Sequence, residues 1–144
     1  MKTLGYNVLT PMTITIDSSV WVASFVPQER LHNDALKIMD EARRGTSETV
    51  IPVIVLVEVS AALLRKTGNA AYADEAVRLM LEVPNIDLVD VDYSFALEAM
   101  EFNKHASLKG MDTIIVYTAL RYGAMLVTFD EELKRRAASF VAIR

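Results

Sequence analysis

The sequence contains no cysteine, and this absence removes several kinds of chemistry at once. Without a thiol the chain has no disulfide, no thiol nucleophile and no thiolate zinc site. Histidine is almost as scarce, because only His32 and His105 occur. A histidine-rich metal site and a Ser-His-Asp triad therefore have little support. Carboxylates are plentiful by contrast, with 19 Asp and Glu residues among 144.

The chain also lacks a long apolar run and an excess of basic charge. No run reaches the roughly 20 apolar residues that span a bilayer, and residues 1–12 have no sustained apolar core of the kind found in signal peptides. The net charge is −4, which argues against holding nucleic acid through a large basic field alone. A nucleic-acid enzyme stays compatible, because bound divalent metals cancel carboxylate charge locally. By elimination we expect a cytoplasmic protein.

The apolar content and the length indicate one domain with a proper core. Apolar residues make up 52% of the sequence, which excludes disorder as the main state. Residues 1–11 match no pattern and are predicted to form an N-terminal extension. The predicted domain therefore covers residues 12–144.

Strand patterns and helix patterns alternate along this domain. Strands are predicted at 12–16, 49–51, 86–91, 124–128 and 140–143. Helical patterns separate them, and two consecutive helices at 51–64 and 69–82 predict a helical hairpin. Such alternation implies βαβ crossovers and a mainly parallel sheet with helices on both faces, an α/β fold.

One helical pattern, IPVIVLVEVSAALL at 51–64, is apolar almost throughout and carries Glu58 at its middle. Pro52 suits the first turn of a helix, and Gly68 suits its end. A helix that is apolar all round is expected to be buried on most sides. A charge there is costly unless it is paired or binds a cation, so Glu58 faces either a partner in a salt bridge or hydrogen bond, or a metal.

Three further acids belong near one edge of the predicted sheet. Asp17 follows the first strand, Asp130 follows the strand at 124–128, and Asp112 begins the helix that leads into that strand. Ligands of open parallel sheets bind outside the carboxyl ends of the strands. Asp17 and Asp130 are expected there by position, and Glu58 and Asp112 can reach the same edge from adjacent helices.

Each of these acids has a structural alternative. Asp17 and Asp112 could cap the helices that follow them. Asp130 could be a first-turn acid, with Thr128 and Glu131 at capping-box spacing. One shared cause is simpler: clustered carboxylates repel and raise each other's pKa, and Mg²⁺ or Mn²⁺, which prefer oxygen ligands, relieve that repulsion.

Taken together, these motifs resemble those of the PIN-domain nucleases, most closely the VapC-type toxins of toxin–antitoxin pairs. The strand followed by Asp17, Ser18 and Ser19 matches the family's opening Asp-x-Ser. Glu58 on the apolar helix leading to LLRK matches its buried glutamate. Asp112 in KGMDTIIVYTAL and Asp130 in Thr-Phe-Asp match its third and fourth acids. Residues 1–11 have no counterpart.

The resemblance implies a PIN-like three-layer α/β/α fold and a metal-dependent endoribonuclease that hydrolyses RNA with a metal-activated water. Asp17, Glu58, Asp112 and Asp130 would be catalytic and would hold Mg²⁺ or Mn²⁺. Ser19 and Thr128 would orient the carboxylates. The family also implies a homodimer and a small VapB-type antitoxin.

The sequence also suggests which residues could contact RNA and which other functions are possible. Arg65 and Lys66 are the best candidates for RNA contacts, because their helix carries Glu58. A phosphatase with Asp17 as nucleophile is disfavoured, because Ser19 stands where its second aspartate is needed. A housekeeping PIN nuclease of RNA maturation and a non-catalytic PIN interaction module stay open as alternatives.

Overall fold

A computed structural model describes residues 12–144 as strands and helices in alternation. The strands are β1 (Met12–Ile16), β2 (Ser47–Pro52), β3 (Ile86–Val89) and β4 (Met125–Val127). The helices are α1 (Ser18–Phe25), α2 (His32–Arg43), α3 (Ile54–Thr67), α4 (Ala70–Leu81), α5 (Tyr93–Ala106), α6 (Gly110–Arg121) and α7 (Glu131–Ala137). The predicted N-terminal extension, residues 1–11, lies outside the described residues, so the division of the chain at residue 12 stays a prediction.

The strands form one parallel sheet in the order β3-β2-β1-β4. The chain moves from β1 to β2 to β3 in one direction and then returns to the other side of β1 to form β4. The segments that leave β1 and β4 therefore diverge at the carboxyl ends of two adjacent parallel strands. Such a switch point is where open α/β sheets bind ligands.

Both faces of the sheet are covered, as the sequence predicts. Successive strand residues point to opposite faces, and in β1 the consecutive residues Ile14, Thr15 and Ile16 are all buried. The last four residues of β2 are buried in the same way. The predicted α/β class, with a parallel sheet between helical layers, is confirmed.

The junction between β2 and α3 differs from the prediction. Pro52 does not open the helix; it is the last residue of β2 and pairs with Val89 of β3. The next amide, that of Val53, donates to the Val89 carbonyl over 2.8 Å. Pairing with β3 thus extends the strand beyond its predicted end at residue 51, and α3 starts at Ile54.

Helix α3 is also less buried than its composition suggests. Its fully buried residues are Val55, Val59 and Leu63, which form one stripe at a spacing of four. Val57 is 60% exposed and Leu64 is 48% exposed. The expectation that this helix is buried on most sides is therefore wrong. Among residues 12–144, no helix is both long and apolar enough to cross a membrane.

The predicted fifth strand at 140–143 is reduced to a single bridge. Ile143 forms an isolated parallel bridge with Leu126 of β4. The Leu126 amide donates to the Ala142 carbonyl over 2.8 Å, and the Arg144 amide donates to the Leu126 carbonyl over 2.9 Å. The segment lies against the edge of β4 but is too short to count as a strand.

The predicted helical hairpin is confirmed by α3 and α4, which pack against each other. Gly68 ends α3 in the left-handed region, with φ +64°, and its amide donates to the Leu64 carbonyl over 2.8 Å. The Asn69 side chain then caps α4 by accepting from the Tyr72 amide over 3.0 Å. A left-handed residue followed by a cap makes the tight reversal.

Replacing Gly68 by alanine tests this reversal. A Cβ at Gly68 would meet nothing within 4 Å, so the cost of Gly68→Ala comes from the positive φ alone. We expect a loss of about 1 kcal/mol in the free energy of unfolding. Gly110→Ala is the matched control, because Gly110 also has open space around it but lies in helical backbone. Urea unfolding measures both, and equal effects would contradict the proposed role of the left-handed turn.

Candidate active site

A groove with a volume of about 800 Å³ lies at the carboxyl end of the sheet. All four acids singled out in the sequence line it, each from a different element. Asp17 follows β1 and Asp130 precedes α7, while Glu58 and Asp112 come from α3 and α6. The structure therefore brings these side chains to one place, although 113 positions separate the first from the last along the chain.

Asp17 is fixed where β1 and β4 end together. Its amide donates to the Val127 carbonyl over 2.9 Å. One carboxylate oxygen, Oδ2, accepts hydrogen bonds from Ser19 Oγ over 2.9 Å and from Thr128 Oγ1 over 2.8 Å. Asp17 occupies the N-cap position of α1, but its side chain makes no capping hydrogen bond. The structure thus shows a carboxylate oriented by two hydroxyls rather than the helix cap that was the alternative.

Ser19 and Thr128 also connect the two strand ends to each other. Ser19 Oγ accepts from the Phe129 amide over 3.1 Å, and Thr128 Oγ1 accepts from the Asp130 amide over 3.1 Å. Thr128 is buried. Each hydroxyl therefore donates to Asp17 and accepts from the backbone that follows β4. Together these hydrogen bonds hold the Asp17 carboxylate in one orientation.

Glu58 is half-buried on the groove side of α3. Its pKa is raised above the ordinary value, first by desolvation and then by the charges of Asp17 and Asp112, while a hydrogen bond from the Ser18 side chain acts in the opposite direction. No basic residue is among the groups that shift it. The salt bridge considered as its alternative partner is not what the described structure shows.

Asp112 lies in the first turn of α6 and experiences a similar environment. Its pKa is raised by desolvation and by the charges of Asp130 and Asp17, and Lys109 lowers it. The helix begins two residues earlier, at Gly110, and Lys109 occupies the N-cap position. Asp112 therefore does not cap α6, and its carboxylate faces the other acids.

Asp130 has a structural role as well as a charge in the groove. It is the N-cap of α7, and its Oδ1 accepts from the Glu132 amide over 3.0 Å and the Leu133 amide over 3.1 Å. The alternative of a capping box between Thr128 and Glu131 does not hold, because Asp130 takes the cap position. The charge of Asp130 still acts on Asp112 across the groove.

The four carboxylates have the chemistry that a hard divalent cation requires, but the distances between them are too long to hold one. Carboxylate oxygens are the ligands that Mg²⁺ and Mn²⁺ prefer. Within residues 12–144, however, no three Asp, Glu or His side chains stand ready at metal-binding distances. Like charges keep uncompensated carboxylates apart. The acids share one groove and feel each other's charge, and an ion would have to draw them together.

Basic side chains line the part of the groove that lies about two turns of α3 beyond Glu58, which we call its basic end. Arg65 and Lys66, the predicted RNA contacts, line it together with Arg30. Lys66 forms an ion pair with Glu29 over 2.9 Å. The sequence analysis did not identify Arg30 and Glu29 as groove residues, because no periodic pattern in the turn between α1 and α2 predicts which way its side chains point. Ser18 was missed as well, although it directly follows Asp17.

Comparisons with known proteins support the assignment of this fold. A family model described as the PIN domain matches residues 14–139. The chain matches VapC20 of Mycobacterium tuberculosis, described as a sarcin-ricin loop cleaving toxin, at 21% identity and a TM-score of 0.72. That match covers 91% of this chain and 98% of the other. A comparison with curated proteins finds no match.

Two further solved structures are toxin–antitoxin complexes. VapBC2 of Rickettsia felis, bound to a promoter DNA fragment, is 15% identical with a TM-score of 0.67 and covers 92% of this chain and 98% of that chain. VapBC-1 of nontypeable Haemophilus influenzae is 16% identical with a TM-score of 0.65 and covers 92% and 97%. At these identities the likeness shows a shared fold.

Neutralising Glu58 should stabilise the metal-free protein. Because its pKa is raised, the folded state holds the Glu58 proton more tightly than the unfolded state, so stability falls as pH rises above the unfolded value of about 4.3. In EDTA at pH 7 we expect Glu58→Gln to raise Tm by roughly 1–3 °C, and the gain to shrink towards pH 5. The control is Glu48→Gln, an exposed residue of β2 outside the groove. A fall in Tm for Glu58→Gln would mark Glu58 as a structural partner.

The cap formed by Asp130 can be separated from its charge. Asp130→Ala removes both, and we expect it to lower the free energy of unfolding by about 1 kcal/mol relative to Asp130→Asn. Asparagine keeps an oxygen that can accept from the amides of Glu132 and Leu133. Thermal or urea unfolding in EDTA compares the two variants, and equal stabilities would show that the cap contributes nothing.

Proposed function

The chain belongs to the PIN-domain family, and from this premise we propose that it is a divalent-metal-dependent endoribonuclease of the toxin type, acting in the cytoplasm. Family membership supports a hydrolase that acts on nucleic acid. The observation that carries the proposal further is the groove in which Asp17, Glu58, Asp112 and Asp130 meet. The pKa of Glu58 and that of Asp112 are raised first by desolvation and then by the charges of the other acids, which supports a site that binds cations.

In this proposal the chain's residues have distinct tasks. Asp17 is the best-oriented ligand, because Ser19 and Thr128 both donate to its Oδ2 and leave Oδ1 for an ion. Glu58 and Asp112 would hold the ion from α3 and α6, and Asp130, whose Oδ1 caps α7, would complete the site. A bound Mg²⁺ or Mn²⁺ would supply a nucleophilic water and stabilise charge on the scissile phosphate.

The shape of the groove supports a nucleic-acid strand as substrate. The four acids line the groove, and Arg30 and Arg65 line its basic end. Basic side chains contact phosphates and position a strand without reading its sequence. A strand lying along the groove would place one phosphate at the acids and another at the basic end, which accords with binding by a chain whose net charge is −4.

The partners we propose are a second copy of the chain and a small antitoxin. Structures with the same fold include the complexes named VapBC2 and VapBC-1, which favours a protein that works with an inhibitory partner. A short adjacent reading frame encoding a DNA-binding protein would support this pairing. Without such a neighbour, the housekeeping nuclease of RNA maturation becomes the better assignment.

The proposed activity is tested with Asp17→Asn. The variant keeps a similar shape but loses the charge that binds the ion, so we expect cleavage of RNA in Mg²⁺ or Mn²⁺ to fall at least about a hundredfold. Gel analysis of labelled RNA measures it. Excess EDTA should abolish cleavage by the wild type, and added Mn²⁺ should restore it.

The matched control is Asp92→Asn. Asp92 caps α5 by accepting from the Phe95 amide over 2.9 Å and does not line the groove. This variant should cleave RNA at nearly the wild-type rate, because asparagine caps helices as well as aspartate does. Undiminished cleavage by Asp17→Asn, or by the wild type in EDTA, would contradict the proposal.

A further inference from the structure

An ion pair crosses the basic end of the groove between two distant segments. Lys66 Nζ, near the end of α3, lies 2.9 Å from Glu29 Oε1, in the turn between α1 and α2. Both side chains line the groove, together with Arg30 and Arg65. The pair therefore lies on the surface that the proposed substrate would cover.

This pair differs from the other ion pairs of the described residues. Most of those join side chains three or four positions apart in one helix, such as Arg78 with Glu82. Pairs between distant segments, such as Arg121 with Glu98 and Arg144 with Glu41, lie outside the groove. Lys66 and Glu29 are the pair placed where a ligand would meet them.

The backbone on both sides of the pair is held in place. The Glu29 amide donates to the Val26 carbonyl over 3.0 Å, and the Glu29 carbonyl accepts from the His32 amide over 3.1 Å. Lys66 lies in the last turn of α3 and has a long flexible side chain. The pair can therefore open by rotation of its side chains while the backbone stays where it is.

We propose that Glu29 is an internal competitor of the substrate, occupying on Lys66 the place that a phosphate of single-stranded RNA takes during binding. This inference rests on the proposed function. A carboxylate oxygen at 2.9 Å satisfies the ammonium group much as a phosphate oxygen does. A strand that binds with one phosphate at the acids displaces Glu29 and pairs Lys66 with another phosphate.

The exchange is feasible because the pair is exposed to water. The Lys66 side chain is 45% exposed and that of Glu29 is 37% exposed. Ion pairs in such positions are weak, so Glu29 lowers the affinity for RNA by about two- to fivefold. The effect is a change in affinity. Arg30 and Arg65 are available to any strand that reaches the basic end, whereas Lys66 pairs only with a strand that extends along the whole groove.

Binding of RNA without cleavage isolates this effect. All variants are made in the full chain carrying Asp17→Asn, and the probe is fluorescein-labelled oligouridine, followed by fluorescence anisotropy over a range of salt concentrations. We expect Glu29→Gln to tighten Kd about two- to fivefold. It should also steepen the slope of log K against log salt by about 0.7, the value for one additional phosphate contact on a single strand.

Two control variants separate competition from general electrostatics. Glu41→Gln removes the same charge from the pair that Glu41 forms with Arg144 outside the groove, and it should leave Kd unchanged. In a Lys66→Met background, Glu29→Gln should give no gain, because the cation that it releases is gone. A gain that persists without Lys66, or a gain equal to that of Glu41→Gln, would overturn the inference.

Failure of this inference is distinguishable from failure of the proposed function. If the chain with native Asp17 cleaves RNA and Glu29→Gln binds oligouridine no better than Glu41→Gln, only the competition is wrong. If no variant binds oligouridine and the native chain cleaves no RNA, the ribonuclease assignment fails and the competition fails with it.

Discussion

Repulsion between carboxylates is the interaction on which the account of this structure depends. Four acids line one groove, and the pKa of both Glu58 and Asp112 is raised by desolvation and further raised by the charges of the neighbouring acids. A fold gains nothing from such an arrangement by itself, because like charges near one another destabilise it. Asp130 also caps α7, but no described contact of this kind accounts for Glu58 and Asp112. The arrangement supports the proposal that the groove receives a cation.

The sheet order creates this convergence. Because β4 lies beside β1, the residues that follow these strands meet although more than a hundred positions separate them. Asp17 is then held by hydroxyls from both sides, Ser19 from its own helix and Thr128 from beyond β4. Two committed donors leave this carboxylate little freedom, so the fold supplies orientation as well as proximity.

Much of this could be predicted from the sequence, and the rest depends on tertiary contacts. Periodicity and helix-stop residues predicted β1 and the helical hairpin, because these depend on local backbone preferences. The position at which β2 ends depends on its pairing with β3, and the exposure of Val57 depends on which elements pack against α3. Neither can be predicted from composition, and both predictions were wrong. For Asp130 the sequence suggests a first-turn acid or a metal ligand as alternatives. In the structure one residue combines two roles, because Asp130 caps α7 and its charge also acts in the groove. The ion pair of Glu29 with Lys66 joins two segments that no local pattern connects.

The groove is thus lined by acids and, about two turns of α3 beyond Glu58, by basic side chains, and this arrangement supports the proposed phosphate-rich substrate. The central claim is that the acids serve a divalent cation. A crystal structure of the protein soaked in Mn²⁺, with anomalous diffraction recorded, tests that claim most directly. The account predicts an anomalous peak between Asp17, Glu58 and Asp112, with the side chains drawn together around it at carboxylate–metal distances. An empty groove at saturating Mn²⁺, with the acids still apart, would contradict it.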